Sequence, residues 1–481
     1  MSETRIGLAI GLVLAILGTA PARAETAAQA MPETMDMLRH AIAMPTVVAQ
    51  GSETIAKAQL VPAASKGQVP ALAHYLAGKL ESAGFAGSDI EIIPVDATAA
   101  MAVRYRGSDD SLKPILLSGH MDVVAANPET WGRDPFRLTR EGPYLYGRGV
   151  ADMKTNVVAL VETFMRLKRA GYVPKRGMIL LLSGDEETDM ASTRELARRY
   201  HDAEFLLNAD AGGGTLDPAT GKPVLYKIQA AEKTYVDFLL TVTAPGGHSS
   251  EPNPKANAID KLARALTAVA NYPFPVQHND ITIASLKALG AHGTGPLAEA
   301  MRAFAANPDD AKAAATISAD PAYVGQIRTT CIATQLDGGH ARNALPSRAT
   351  ANINCRIFPG VPVADVEATL ANVIANPDVK IAAQEPPPVE SPASPLRPDV
   401  MDAVAATIHA RYPGVEIVPG MSSGATDSMF FRAAGVPCYG VDPSFAKPDD
   451  THAHGINERL LASEVPAALT YWNSLLQRLT K

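Results

Sequence analysis

Short apolar runs alternate with amphipathic stretches through the first half of the chain. Residues 31–44 and Val69–Ala83 carry apolar positions at helical spacing. Ile90–Val95 and Ala100–Tyr105 have strand character, the second through clean alternation. Pro114–Gly119 is a short apolar run, which predicts a buried strand. The run in Ile179–Glu187, ILLLSGDEE, ends abruptly in Gly184, Asp185, Glu186 and Glu187. Met153–Ala170, with Val157, Val158, Leu160, Val161, Phe164, Met165 and Leu167, predicts a largely buried helix. A helix around Ser192–Tyr200 and a strand at Glu204–Asn208 follow. Strands alternating with helices predict an α/β fold with a mostly parallel sheet covered on both faces.

The pattern changes near Lys227. Tyr235–Thr243, Ile327–Leu336 and Ala349–Phe358 alternate as half-exposed strands. Asn257–Asn271 and Val363–Ala375 have helical spacing, and a short strand falls at Val379–Ala382. The order β-α-β-β-α-β is that of a ferredoxin-like α+β unit. An Ala-rich helical insertion, roughly residues 272–325, separates its first helix from its second strand. A Pro-rich stretch, Pro386–Pro398, leads back to a helix at Val400–Tyr412, a Gly/Ser loop at Gly420–Asp427, a strand near Pro437–Val441 and a closing helix at Ser463–Leu479. The expected organisation is therefore one domain in two parts, residues 25–227 and 389–481, with a second domain, residues 228–388, inserted between them.

Charge narrows the function classes. A formal charge of -7 with no basic stripe argues against nucleic-acid binding. Cys331, Cys355 and Cys438 are too few and too scattered for a zinc knuckle or a disulfide scaffold. One bridge is allowed, and the odd count leaves at least one thiol free. Residues 1–24 read as a signal peptide: Arg5, then an apolar stretch Ile6–Leu17, then the small-x-small pattern Ala22-Arg23-Ala24. The run is too short for a comfortable membrane span. The mature protein is expected to be periplasmic or secreted, with no membrane segment.

Candidate chemistry gathers where strands end. His120, Asp122, Asp152, Glu186, Glu187, Asp210 and His454 each follow a strand or lie in a Gly-containing turn. In open α/β sheets, ligands bind at the C-terminal strand edge. Histidine and carboxylate without sulfur suits Zn2+, or Co2+ and Mn2+. Five ligands with one shared carboxylate can hold two such ions about 3.5–4 Å apart, polarising a carbonyl and acidifying a water. Adjacent glutamates point in different directions, so one can bind metal while the other handles a proton.

The series GHMDVV, GRGVADMKTN, SGDEE, NADAGG, PGGHSS, GGHARNALPS and HGINERL, in that order, resembles the M20 family of dinuclear zinc peptidases. Any one of these motifs is weak; seven in order are specific. The resemblance implies a catalytic domain with an inserted lid of the dimerisation type. It implies that His120 and Asp210 hold one zinc, Glu187 and His454 the second, and that Asp152 bridges both. Asp122 would orient His120, and Glu186 would be general base and then acid. His248 would stabilise the oxyanion from the lid, while Asn343 and Arg356 would hold a substrate carboxylate. His452 is a decoy, because only His454 stands three residues before Asn457-Glu458. Asp185 has no assigned role and is expected to be structural.

The implied activity is cleavage of a peptide or N-acyl amino-acid amide bond beside a free carboxylate, as in a carboxypeptidase or dipeptidase. The alternatives are an aminoacylase or amidase of the same fold, or a catalytically silent metal- or peptide-binding protein. The chain departs from the family pattern at Met153-Lys154-Thr155, where Met-Lys-Gly is usual, and after Glu187, where TDMAS lacks the usual glycines. The resemblance implies a homodimer through the lid, a contact that the insertion could block or replace. The insertion leaves open whether His248 serves its own chain or a neighbour.

Overall fold

The structure, a computed structural model, describes residues 26–48, 67–385, 387–448 and 450–481. The expected signal peptide, residues 1–24, lies outside the described residues.

The main sheet is centred on Met178–Ser183, Ile115–His120, Phe205–Asn208 and Cys438–Gly440, parallel neighbours in that order. Their side chains divide between two faces. Leu117, Leu180, Leu182 and Leu207 pack under the helices Lys154–Arg169 and Glu464–Leu479. Leu116, Leu181 and Leu206 pack under Ala191–Tyr200 and Ser428–Ala433. Burial on both faces is why ILLL, Ile179–Leu182, is continuously apolar rather than alternating. Each such leucine contributes roughly 1.5–3 kcal/mol of transfer free energy.

The flanks are antiparallel. Ile90–Val95 pairs Thr98–Tyr105, which pairs Met178–Ser183. On the other side, Pro223–Glu232 is paired by Gly213–Leu216 antiparallel and by Glu416–Ser422 parallel. Pattern reading found neither Pro223–Glu232 nor Glu416–Ser422 as a strand. Pro419 and Gly420 punctuate the second, which is tolerated because it lies at the sheet's margin. Pro223–Glu232 still belongs to the main sheet, so the chain leaves that sheet at Lys233, later than the change of pattern near Lys227.

A second sheet has the order Thr330–Gly338, Arg348–Ile357, Thr234–Thr243, Val379–Ala383, all neighbours antiparallel. Val236, Phe238, Leu240, Ile353 and Ile357 face the helices Ala258–Ala270 and Val363–Ile374. The opposite face carries Tyr235, Asp237, Asn352, Asn354 and Arg356. Cys331 and Cys355 are cross-strand partners and form a disulfide; Cys438 is free and buried.

The insertion forms the helices Asp280–His292, Gly295–Ala306, Ala311–Ser318 and Val324–Ile327 around a core of Leu286, Met301, Phe304 and Ile317. The last helix ends at Ile327, where a strand was expected to begin, and the strand starts instead at Thr330. Ala288 and Leu289 pack on Leu225 and Val418 of the main sheet. The insertion thus covers the main sheet's margin. The outer strand of the second sheet stays exposed, with Ile332 at 67% and Leu336 at 68%.

Candidate functional site

Three adjacent parallel strands deliver the acidic and imidazole groups to one edge. Ile115–His120 ends in His120, with Asp122 just beyond. Its neighbour Met178–Ser183 pairs Ser183 with His120, which sets the turn Asp185–Glu187 beside them. Phe205–Asn208, on the other side, delivers Asp210. Asp152 lies in the turn before Lys154–Arg169, and the Asp152–Met153 peptide is cis. His454 arrives from the loop preceding Arg459–Leu461.

Asp152 stands between the two histidines. His120 Nε2 is 3.0 Å from Asp152 Oδ1, and His454 Nε2 is 3.0 Å from Asp152 Oδ2. His454 Nε2 is also 2.9 Å from Glu187 Oε1, and His120 Nε2 is 3.6 Å from Asp210 Oδ1. The ligand atoms of His120, Asp152 and Glu187 lie within 4.8 Å of one another, as do those of His120, Glu186 and Asp210. Burial pushes the Asp210 carboxyl up to about 7, and Asp152 adds to the rise. Burial likewise lifts Glu186 well above the ordinary range; His120 opposes this, while Asp210, Asp427 and Glu187 reinforce it. Hydrogen bonds that His454 donates to Asp152 and Glu187 carry its imidazole up to about 10. Burial works against a charged His120, but the surrounding carboxylates outweigh it and raise its pKa well above the usual value. Such crowding of carboxylates needs cations. With two imidazoles, several carboxylates and no sulfur, the donor set fits a borderline-to-hard divalent metal pair.

Buried polar groups hold this arrangement. Asp122 was expected to orient His120. Its backbone oxygen is 3.1 Å from His120 Nδ1, and its carboxylate accepts the N–H groups of Glu186 and Glu187 at 3.1 Å each. It therefore fixes both glutamates as well as the ring. Asp185 accepts the N–H groups of Ala191 at 2.9 Å and Ser192 at 3.0 Å, and so closes the start of the next helix. Glu458 accepts from the N–H groups of Gly149, Ala151 and Asp152 at 3.0, 2.8 and 3.0 Å, and from Arg148 Nη1 at 2.7 Å. Arg148 Nη2 also reaches the carbonyls of His454 and Gly455, at 3.3 and 3.1 Å. One buried ion pair thereby ties the Asp152 turn to the His454 loop. Asp427 accepts from Ser118 and Ser183 at 3.2 and 2.7 Å and from Thr193, joining strands beneath the cluster. The positioning parts of Arg148, Glu458 and Asp427 escaped the sequence reading. Arg148 and Glu458 sit inside motifs that were recognised, which was the available signal.

The remaining three residues stand elsewhere. His248 is exposed on a two-residue ladder, Gly247–His248 against Ala344–Leu345, with Nδ1 2.6 Å from Ser250 Oγ. Asn343 is next to it, its carbonyl accepting the Ser249 N–H at 3.0 Å. Among the described residues, no hydrogen bond or ion pair links either to the His/Asp/Glu cluster. Arg356 lies on the polar face of the second sheet, 4.4 Å over the Tyr235 ring, and donates to the Ser423 carbonyl at 3.4 Å.

Metal-type donors converging on the C-terminal edge of a doubly covered sheet mark a metal-dependent hydrolase, and that is the class of this protein. The chain belongs to peptidase family M20/M25/M40, whose model matches residues 116–478. It is 31% identical to the human N-fatty-acyl-amino acid synthase/hydrolase PM20D1 over 77% of this chain and 75% of that one. An M20 family metallo-carboxypeptidase from Sulfolobus solfataricus superposes with a TM-score of 0.68 at 18% identity, covering 93% of this chain and 99% of that one. A dinuclear metal binding M20 peptidase from Bacillus subtilis gives 0.55 at 12% identity, over 93% and 98%.

Proposed function

We propose that this protein is an exported dinuclear hydrolase, loaded with Zn2+ or alternatively Co2+ or Mn2+, that cleaves a peptide or N-acyl amino-acid amide bond beside a free carboxylate. The observation that carries this reading is the division of labour at Glu186 and Glu187. Glu187 meets His454 at 2.9 Å. Among the described residues the Glu186 carboxyl is committed to no hydrogen bond, yet it stands within reach of His120 and Asp210. One glutamate is free for proton transfer while its neighbour is a ligand.

His120 and Asp210 would hold one cation, Glu187 and His454 the other, with Asp152 common to both. Bound there, the pair supplies Lewis-acid polarisation of the amide carbonyl and acidifies a water. Glu186 takes the proton of the attacking water and returns it to the leaving amine nitrogen; its raised pKa suits both transfers. His248 donates a hydrogen bond to the carbonyl oxygen as charge develops on it. Arg356 and Asn343 hold the substrate's carboxylate.

Export is supported by the Arg5 to Ala24 pattern and by the Cys331–Cys355 bridge, since disulfides persist in oxidising compartments. A homodimer through the second sheet is supported by the exposed Ile332 and Leu336 on its outer strand. Among the described residues no hydrogen bond ties His248 to the acid cluster of its own chain, and a dimer would let it serve the neighbouring one.

The test is a panel of dipeptides and N-acyl amino acids given to the metal-loaded protein. Hydrolysis of members with a carboxylate beside the amide, lost with a chelator and restored by Zn2+, is expected. Bound metal without turnover on the whole panel would leave the silent binding protein as the better reading. Preference for N-acyl amino acids over dipeptides would select the aminoacylase, a reading favoured by the similarity to PM20D1.

A further inference from the structure

Lys233 is the residue at which the chain passes from one sheet to the other, and its side chain is fully buried at 1% exposure. Its ammonium donates to the Arg328 carbonyl at 2.7 Å and to Thr330 Oγ1 at 3.3 Å, both neutral acceptors. Its own N–H donates to the Ser422 carbonyl at 3.1 Å, which pins the turn beginning at Ser422 against it. A methyl group placed on Gly325, at the end of the helical insertion, would lie 3.0 Å from Ser423 Oγ and 3.5 Å from Lys233 Nζ. Ser423 is also the residue whose carbonyl receives Arg356. Lys233, Arg356, Ser423 and Gly325 therefore meet in one corner between the two sheets.

Among the described residues, that corner holds two cations and no free anion. Glu232, next in sequence, is engaged by Arg432 at 2.6 Å and by Thr426 at 3.0 Å. Asp237, nearest to Arg356 on the polar face, is engaged by Tyr235 at 2.6 Å, Asn352 at 2.8 Å and Asn354 at 2.9 Å. Among the described residues, neither Lys233 nor Arg356 has an ion-pair partner. Burial, and then the charge of Arg356, push the Lys233 ammonium down to about 7. Buried cations that repel one another are costly unless an anion arrives to pair them. An anion entering this corner would keep Lys233 protonated and pair with both side chains, which gives the corner an electrostatic preference for an anionic group.

We infer that Lys233 is a second cation of the subsite for the substrate's carboxylate, acting with Arg356 and the turn at Ser422–Gly424. Arg356, half-buried and planar, offers the fork. Lys233, from beneath, supplies charge and fixes the Ser422 turn and the Arg328–Thr330 segment around the anion. The insertion then has a part in specificity, because Gly325 closes this corner and must stay small. The inference rests on the reading that the substrate carries a carboxylate beside the scissile amide.

The experiment compares a carboxylate substrate from the panel with its carboxamide analogue in the wild-type holoenzyme, Lys233→Met and Gly325→Ala. Lys233→Met keeps the chain length and removes the charge. It is expected to raise KM for the carboxylate substrate at least about tenfold, with kcat changed by less than about twofold, and to leave the carboxamide unaffected. Gly325→Ala lies in a short helix and fills the same corner without altering charge, so it tests the placement even if Lys233→Met fails to fold. It should raise KM in the same selective way. If the wild type turns over neither compound, the hydrolase reading fails. If it turns over both equally, the carboxylate reading fails. If the wild type prefers the carboxylate and the folded variants keep that preference, Lys233 is a structural lysine and this inference is overturned.

Discussion

Asp185 and Glu186 are neighbours of equal formal charge in very different surroundings. Asp185 is saturated by Ala191 and Ser192, whereas Glu186 is free beside His120 and Asp210. Glu186→Gln should therefore retain metal and lose about 10²–10⁴ in kcat, the usual weight of a positioned acid–base group. Asp185→Asn keeps an acceptor for the helix start and should retain most activity, with a stability loss of about 1 kcal/mol or less. Parallel assays of rate and metal content check both. The histidines give the pH behaviour. In the metal-free protein His454 has its pKa raised to about 10, with His120 raised as well. The stabilisation from protonated His454 is complete below about 6.5 and is lost as pH rises through about 10. Metal must displace these protons, so its apparent affinity should climb up to about tenfold per pH unit for each proton released. Competition against a chromophoric chelator at several pH values measures the slope; a flat profile between pH 7 and 9 would contradict it.

Elements turn these residues into a site. Three parallel strands supply direction, but the two ligands from turns depend on one carboxylate. Glu458 gathers the N–H groups of the Asp152 turn, while its partner Arg148 holds the His454 loop. Both side chains are buried, so removing one leaves the other charge unpaired, at a cost of roughly 3–5 kcal/mol. Glu458→Gln should lower metal affinity by about 10–100-fold and reduce thermal stability, although Glu458 is no metal ligand in this reading. Unchanged metal affinity in that variant would show that the two turns hold their shape unaided.

At the scale of the whole molecule, no hydrogen bond or ion pair among the described residues joins His248 to the acid cluster of its own chain, and the second sheet presents an exposed apolar outer strand. These two features belong together if copies pair through that strand. Mixing the inactive Glu186→Gln and His248→Ala variants should then restore activity, to about a quarter of wild type for random exchange into dimers with one complete site. No recovery after confirmed subunit exchange would mean that His248 acts within its own chain. The insertion packs Ala288 and Leu289 against Leu225 and Val418 of the main sheet and leaves Ile332 and Leu336 exposed.

Much of this protein was written locally. The buried strands ending at His120, Ser183 and Asn208 were legible because strands covered on both faces must be continuously apolar. The second sheet was legible because one polar face imposes alternation. The donor residues were legible because they follow those strands directly in sequence. Tertiary structure alone decided the rest. Glu416–Ser422 becomes a strand only because Pro223–Glu232 lies beside it to accept the pairing, with Pro419 at the sheet's margin. Asp122 reaches the glutamates across tens of residues, and Glu458 the Asp152 turn across hundreds, which no local spacing connects. Lys233 looks like any surface lysine in the sequence; only the packing of two sheets and an insertion around it makes it a buried cation with no anion. Local patterning fixes which faces are apolar, whereas the partners of buried charges depend on which distant segments meet.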